Sequence, residues 1–144
     1  MARGYGQLAY ASGQFTDRGD AQTSVYVCRN ITTNATPTEL LLDGAIERMS
    51  IPENATWSFD ILVTGRTATG KSAGYQIRGA IARVEGTAAF IGTPSINVLG
   101  EDIADWDASV NTNQQKDALV VQVTGAGDTT IRWVASVRTV EVIF

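Results

Sequence analysis

The chain contains no histidine. That absence removes Ser-His-Asp and Cys-His nucleophile systems, and every zinc site built on imidazole. Cysteine occurs once, at Cys28, so no disulfide can close within the chain, and packing and hydrogen bonds must hold the fold. No apolar run approaches the roughly 18 residues that cross a bilayer as a helix. The opening Met1-Ala2-Arg3-Gly4-Tyr5-Gly6 also lacks the apolar stretch of a secretory signal. Synthesis in a cytoplasm, with no membrane as partner, is the expectation. Charged residues are sparse, at 18%, and lean acidic: 11 Lys and Arg stand against 15 Asp and Glu, a net charge of −4. General nucleic-acid binders need a basic footprint to displace counterions from phosphates, so nucleic acid is not an expected partner.

What is present is enough apolar material, 44% of 144 residues, for one domain with a real core. The dominant pattern is alternation with period two. Trp57, Phe59, Ile61 and Val63 share one face of the run 57–64, and Tyr75, Ile77, Gly79, Ile81 and Arg83 share one face of 73–85. Ile131, Trp133, Ala135 and Val137 do the same within 130–144, with Arg132, Ser136 and Arg138 opposite, and 23–29 and 119–124 are further strand-like runs. Side chains alternate across a strand, so these runs read as half-buried strands separated by turns. The expectation is an all-β fold, an antiparallel β-sandwich with jelly-roll-like packing and few or no helices. Residues 1–20 would form an N-terminal arm and first strand region, and 21–144 a single sandwich domain. One stretch competes: Thr36-Pro37-Thr38-Glu39 resembles a helix start, but Gly44 and the Leu40-Leu41-Leu42 run favour a strand.

Several motifs invite chemistry. Gly65-Arg66-Thr67-Ala68-Thr69-Gly70-Lys71-Ser72 matches the phosphate-binding pattern G-x-x-x-x-G-K-[ST]. That loop must open into a helix whose N-terminus faces the phosphate, whereas the alternating Ala73-Gly74-Tyr75-Gln76-Ile77 reads as a strand. A hairpin turn accounts for the same residues. Arg18-Gly19-Asp20 reads as turn chemistry, and the Asn30, Asn34 and Asn54 acceptor triplets are the chance yield of a threonine-rich chain. The cluster Glu101, Asp102, Asp105 and Asp107 is a weak candidate for a hard cation such as calcium, with a solvated turn as the plainer reading. Trp57, Trp106 and Trp133 are expected in the core, and Cys28 should behave as a small hydrophobe. No catalytic residue and no cofactor site is expected.

Residues 4–15 (GYGQLAYASGQF), Gly19-Asp20-Ala21-Gln22, residues 36–44 (TPTELLLDG), Glu101-Asp102 to Trp106-Asp107, and Ile131-Arg132-Trp133-Val134-Ala135 running to Val142 together resemble a β domain of bacteriophage tail-fibre and other virion-surface proteins. The resemblance spans nearly the whole chain and carries no catalytic signature. It implies a non-enzymatic structural module, acting as a homotrimer on the surface of the phage particle. Two roles are open. A compact domain has a radius of only about 15 Å, which suits a cement or head-fibre protein seated on the major capsid protein or another virion protein. The alternative is a distal tail-fibre domain that recognises a host-surface glycan or protein through loops at one end. The N-terminal segment 1–14, without charge apart from Arg3, would serve as an arm that pairs with a neighbouring subunit by strand addition.

Overall fold

The computed structural model describes all residues, Met1–Phe144, as an antiparallel β-sandwich without helices. Ten strands are present: β1 (Leu8–Tyr10), β2 (Ala21–Thr32), β3 (Thr38–Leu40), β4 (Met49–Ser50), β5 (Ala55–Thr67), β6 (Ser72–Val84), β7 (Thr87–Glu101), β8 (Asp107–Asn113), β9 (Ala118–Thr124) and β10 (Ile131–Ile143). The larger sheet has the order β1-β2-β10-β5-β6-β7. In the smaller sheet β9 is central, with β8 along one edge and the short β3 and β4 in succession along the other.

The long strands follow directly from alternation. Ala55, Trp57, Phe59, Ile61 and Val63 of β5, Ala73, Tyr75, Ile77 and Ile81 of β6, and Ile131, Trp133, Ala135 and Val137 of β10 are buried. They meet Leu40, Met49, Leu119, Val121 and Val123 of the smaller sheet in one core cluster of 25 residues. Such burial is the main stabilising term of a sandwich, at roughly 25 cal/mol per Å² of apolar surface. Arg83 continues the inner face of β6 as a clamp. It donates from Nη1 to the Ile51 carbonyl at 3.1 Å, and lies 3.1 Å from both Glu53 and Asp117, joining the β4–β5 and β8–β9 connections at one corner.

Two aromatic contacts order the interior. Tyr26 stacks on Trp57 with centroids 5.8 Å apart, and Trp106 meets Trp133 edge-on at 5.6 Å. Trp133 lies directly across from Gly65 in the β10–β5 ladder and donates its indole N–H to Thr32 Oγ1 at 2.9 Å. A Cβ on Gly65 would lie 2.5 Å from two carbons of that indole. The first glycine of the phosphate-loop pattern is therefore the seat of a core tryptophan.

Three regions refine the sequence reading. No helix forms over 40–49: the Asp43 carboxylate accepts the N–H groups of Ala45, Ile46 and Glu47, an Asx-type turn that ends β3's extension. Strands β7 and β8 escaped the alternation pattern, because β7 is an edge strand with only Ala88 fully buried. β7 is held to β6 by its backbone ladder, entered through a two-residue turn in which Glu85 and Gly86 both have positive φ. The N-terminal segment folds onto its own chain: β1 pairs with β2, Gln7 Nε2 donates to Ser24 Oγ at 2.7 Å, and the Met1 amino group donates to Gln22 Oε1.

Gly65→Ala should destabilise the fold by about 1–3 kcal/mol, because the new methyl group overpacks against Trp133, with the urea midpoint as the readout. Three N–H donors hold the Asp43 carboxyl down at about 2 from its ordinary 3.8. A depressed folded-state pKa contributes stability that is complete above the unfolded value and lost as pH falls through the folded one. Thermal stability should therefore fall between about pH 4 and pH 2, and Asp43→Ala should flatten that part of the curve.

Candidate functional site

Loops at one end of the sandwich converge on a shallow recess of about 450 Å³. The β5–β6 turn supplies Thr67, Thr69 and Lys71, the β7–β8 loop supplies Ile103 and Trp106, and the β9–β10 loop supplies Asp128 and Thr129. Local chemistry fixes the first loop: Thr67 N–H donates to the Lys71 carbonyl at 2.9 Å, and Gly70 takes φ +96° to close the turn. This is the hairpin expected over the phosphate-loop pattern, and Ser72 begins β6 where that pattern requires a helix. Lys71 is exposed, and Trp106 walls the recess while its indole N–H, buried, finds no acceptor in the chain. A cation, an acid and hydroxyls around an open recess suit a hydroxyl-rich ligand.

The acidic cluster adjoins this recess, and its carboxylates are individually engaged. Glu101 Oε2 accepts the Tyr75 hydroxyl at 2.9 Å, Asp102 Oδ2 accepts Ser72 N–H at 2.8 Å, and Asp107 Oδ1 accepts Ala108 N–H at 2.9 Å. Asp105 is exposed in the loop. The structure brings no three of these carboxylates together in an arrangement able to hold a metal ion. Burial beside Glu101 raises the Tyr75 hydroxyl above the ordinary tyrosine range, so it stays a hydrogen-bond donor.

At the other end, the Arg18-Gly19-Asp20 turn spends its carboxylate internally. Asp20, 6% exposed, accepts the N–H groups of Phe15, Thr16 and Asp17 at 2.9, 2.6 and 2.8 Å, which lowers its pKa. Arg3 reaches the Arg18 carbonyl at 3.3 Å. All three tryptophans are buried, as expected of core residues. Cys28 is fully buried, and desolvation pushes its thiol up to about 12. The recess itself was not legible in the sequence, since Lys71, Trp106 and Asp128 lie on three loops separated by more than twenty residues each.

No protein family and no curated protein matches this chain. Among solved structures, the fold is similar to part of the tailspike protein gp49 from Acinetobacter baumannii bacteriophage Fri1, described as a capsular polysaccharide depolymerase. The TM-score is 0.50 at 13% identity, over 93% of this chain and 19% of that one. The tailspike protein of Acinetobacter phage vB_ApiP_P1 aligns over 96% of this chain and 24% of that one, with a TM-score of 0.32 at 14% identity. The chain thus spans about a fifth to a quarter of the length of these structures.

Cys28 should not react with a thiol reagent in the native protein at pH 8, and should react at once in guanidinium chloride. Slow labelling whose rate tracks unfolding is the expected kinetics; rapid native labelling would contradict the buried position.

Proposed function

We propose that the chain is a non-enzymatic module of the bacteriophage tail, a tail-fibre or tailspike domain that binds a host-surface glycan or protein on the particle exterior. The observation that carries this reading is the similarity of the fold, over nearly its whole length, to part of a phage tailspike. It favours the tail over seating on the major capsid protein, the other role expected of such a domain. The recess walled by Trp106 and edged by Lys71 and Asp128 is the proposed contact with the receptor. A binding role also accords with the use of the carboxylates: Asp20, Asp43, Glu101 and Asp102 are all engaged in structural hydrogen bonds. Assembly as a homotrimer belongs to the same proposal, because three copies on one particle multiply a weak single contact by avidity.

The test is adsorption of the labelled protein to the host of the phage that encodes it. Binding should be saturable and weakened about tenfold or more by Lys71→Ala combined with Asp128→Ala, a loss of at least 1.4 kcal/mol, with the melting temperature unchanged. In purified particles the protein should number a few copies, in multiples of three. Hundreds of copies in simple ratio to the capsid subunit would replace this reading with head decoration.

A further inference from the structure

The net charge of −4 conceals a strongly asymmetric distribution. On the outward face of the larger sheet the charged strand residues are Arg29 of β2, Arg132 and Arg138 of β10, Arg66 and Asp60 of β5, and Arg78 of β6. Five arginines thus stand against one aspartate, while over the rest of the chain acidic residues outnumber basic ones more than two to one. Asp60 answers only part of this charge: it lies 3.6 Å from Arg78, in register opposite Arg138. Arg66 and Arg132 are direct partners across the β5–β10 ladder, both exposed, and neither has a carboxylate within 4 Å. Asp43 borders the face near Arg29, with its carboxylate turned to three backbone N–H groups.

Like charges placed directly opposite across an antiparallel pair cost stability. Nothing within the chain offsets that cost at Arg66 and Arg132, so the pair is explained by a ligand that supplies the missing negative charge. Arg138 lies six positions beyond Arg132 along β10, roughly 20 Å at about 3.3–3.4 Å per residue. The ligand must therefore repeat its charge over that distance. Guanidinium forks match carboxylates in a bidentate manner. The floor between the two arginine rows is made of Val134, Ser136, Leu62 and Thr64, none of them aromatic, and a recess of about 310 Å³ opens beside it between Arg29 and Arg132. Tight protein partners are usually held by buried aromatic anchors, and single-stranded nucleic acids stack on aromatic platforms. An extended sugar polymer needs neither.

We infer that the outward face of the larger sheet binds an anionic polysaccharide, with Arg66 and Arg132 gripping one carboxylate-bearing unit and Arg138 another further along the polymer. The kind of polymer rests on the host-surface reading above. The site is separate from the loop recess, and the two together would let the domain hold one chain at two points.

The experiment measures binding of the whole protein, in 0.15 M salt, to polygalacturonate, neutral dextran and a short DNA duplex. Arg66→Gln with Arg132→Gln is the variant, and Lys116→Gln, on the β8–β9 turn, is the control. Polygalacturonate should bind, dextran should not, and the double variant should lose about tenfold or more in affinity, with a melting temperature equal to or above that of the wild type. Affinity should also fall steeply with added salt. Equal binding by the double variant, or no preference for polygalacturonate over dextran, overturns the inference. So does tighter binding to DNA, or a wild-type oligomer that the double variant dissociates, which would make this face a contact between copies. Host-cell adsorption by the double variant separates the two readings. If adsorption persists while polygalacturonate binding is absent even in the wild type, this inference fails and the tail-module reading stands. If the wild type adsorbs to no host cell, the tail-module reading fails on its own test.

Discussion

The packing of Trp133 against the backbone of Gly65 is the contact on which the sandwich depends. The indole occupies the space that a side chain at 65 would fill, turns an edge to Trp106, and satisfies its N–H on Thr32. It thereby ties β10 to β5 and β2 within the larger sheet, and the larger sheet to the β7–β8 loop. β5 ends two residues beyond Gly65, and the β5–β6 turn that follows carries Lys71. The geometry of the recess is therefore inherited from the core, and loop residues stay free to vary because the strands beneath them do not move.

Carboxylates and arginines are used differently across the molecule. Several acidic side chains serve the fold: Asp43 and Asp20 each organise a turn by accepting backbone N–H groups, and Glu141, 1% exposed, accepts from the side chains of Gln22 and Thr139 beneath the N-terminal segment. A buried carboxylate is tolerable only with such donors. Arginines, Arg48 and Arg83 apart, point outward, and the larger sheet presents most of them on a single face. A modest negative net charge therefore describes neither side of the molecule that a ligand would meet.

Much of the fold was legible in the sequence. A period of two with tryptophan, isoleucine and valine on one face specifies a strand and the side it buries, and it did so for β5, β6 and β10, while β2 and β9 were legible as strand-like runs. It said nothing of β7, whose Ile91, Ile96, Val98 and Leu99 are all exposed, because an edge strand is held by backbone hydrogen bonds that no side-chain pattern reports. The fate of Gly65-Arg66-Thr67-Ala68-Thr69-Gly70-Lys71-Ser72 was also readable locally, since alternation resumes immediately after it.

The sequence by itself determined an all-β chain, the inward faces of β5, β6 and β10, and the exclusion of imidazole and disulfide chemistry. These are properties of neighbouring residues or of composition. Strand order, the meeting of three distant loops around Trp106, and the pairing of Arg66 with Arg132 were decided only by the tertiary structure. Each depends on which strands lie side by side, and hydrogen bonds between strands form between backbone groups that every residue type carries alike.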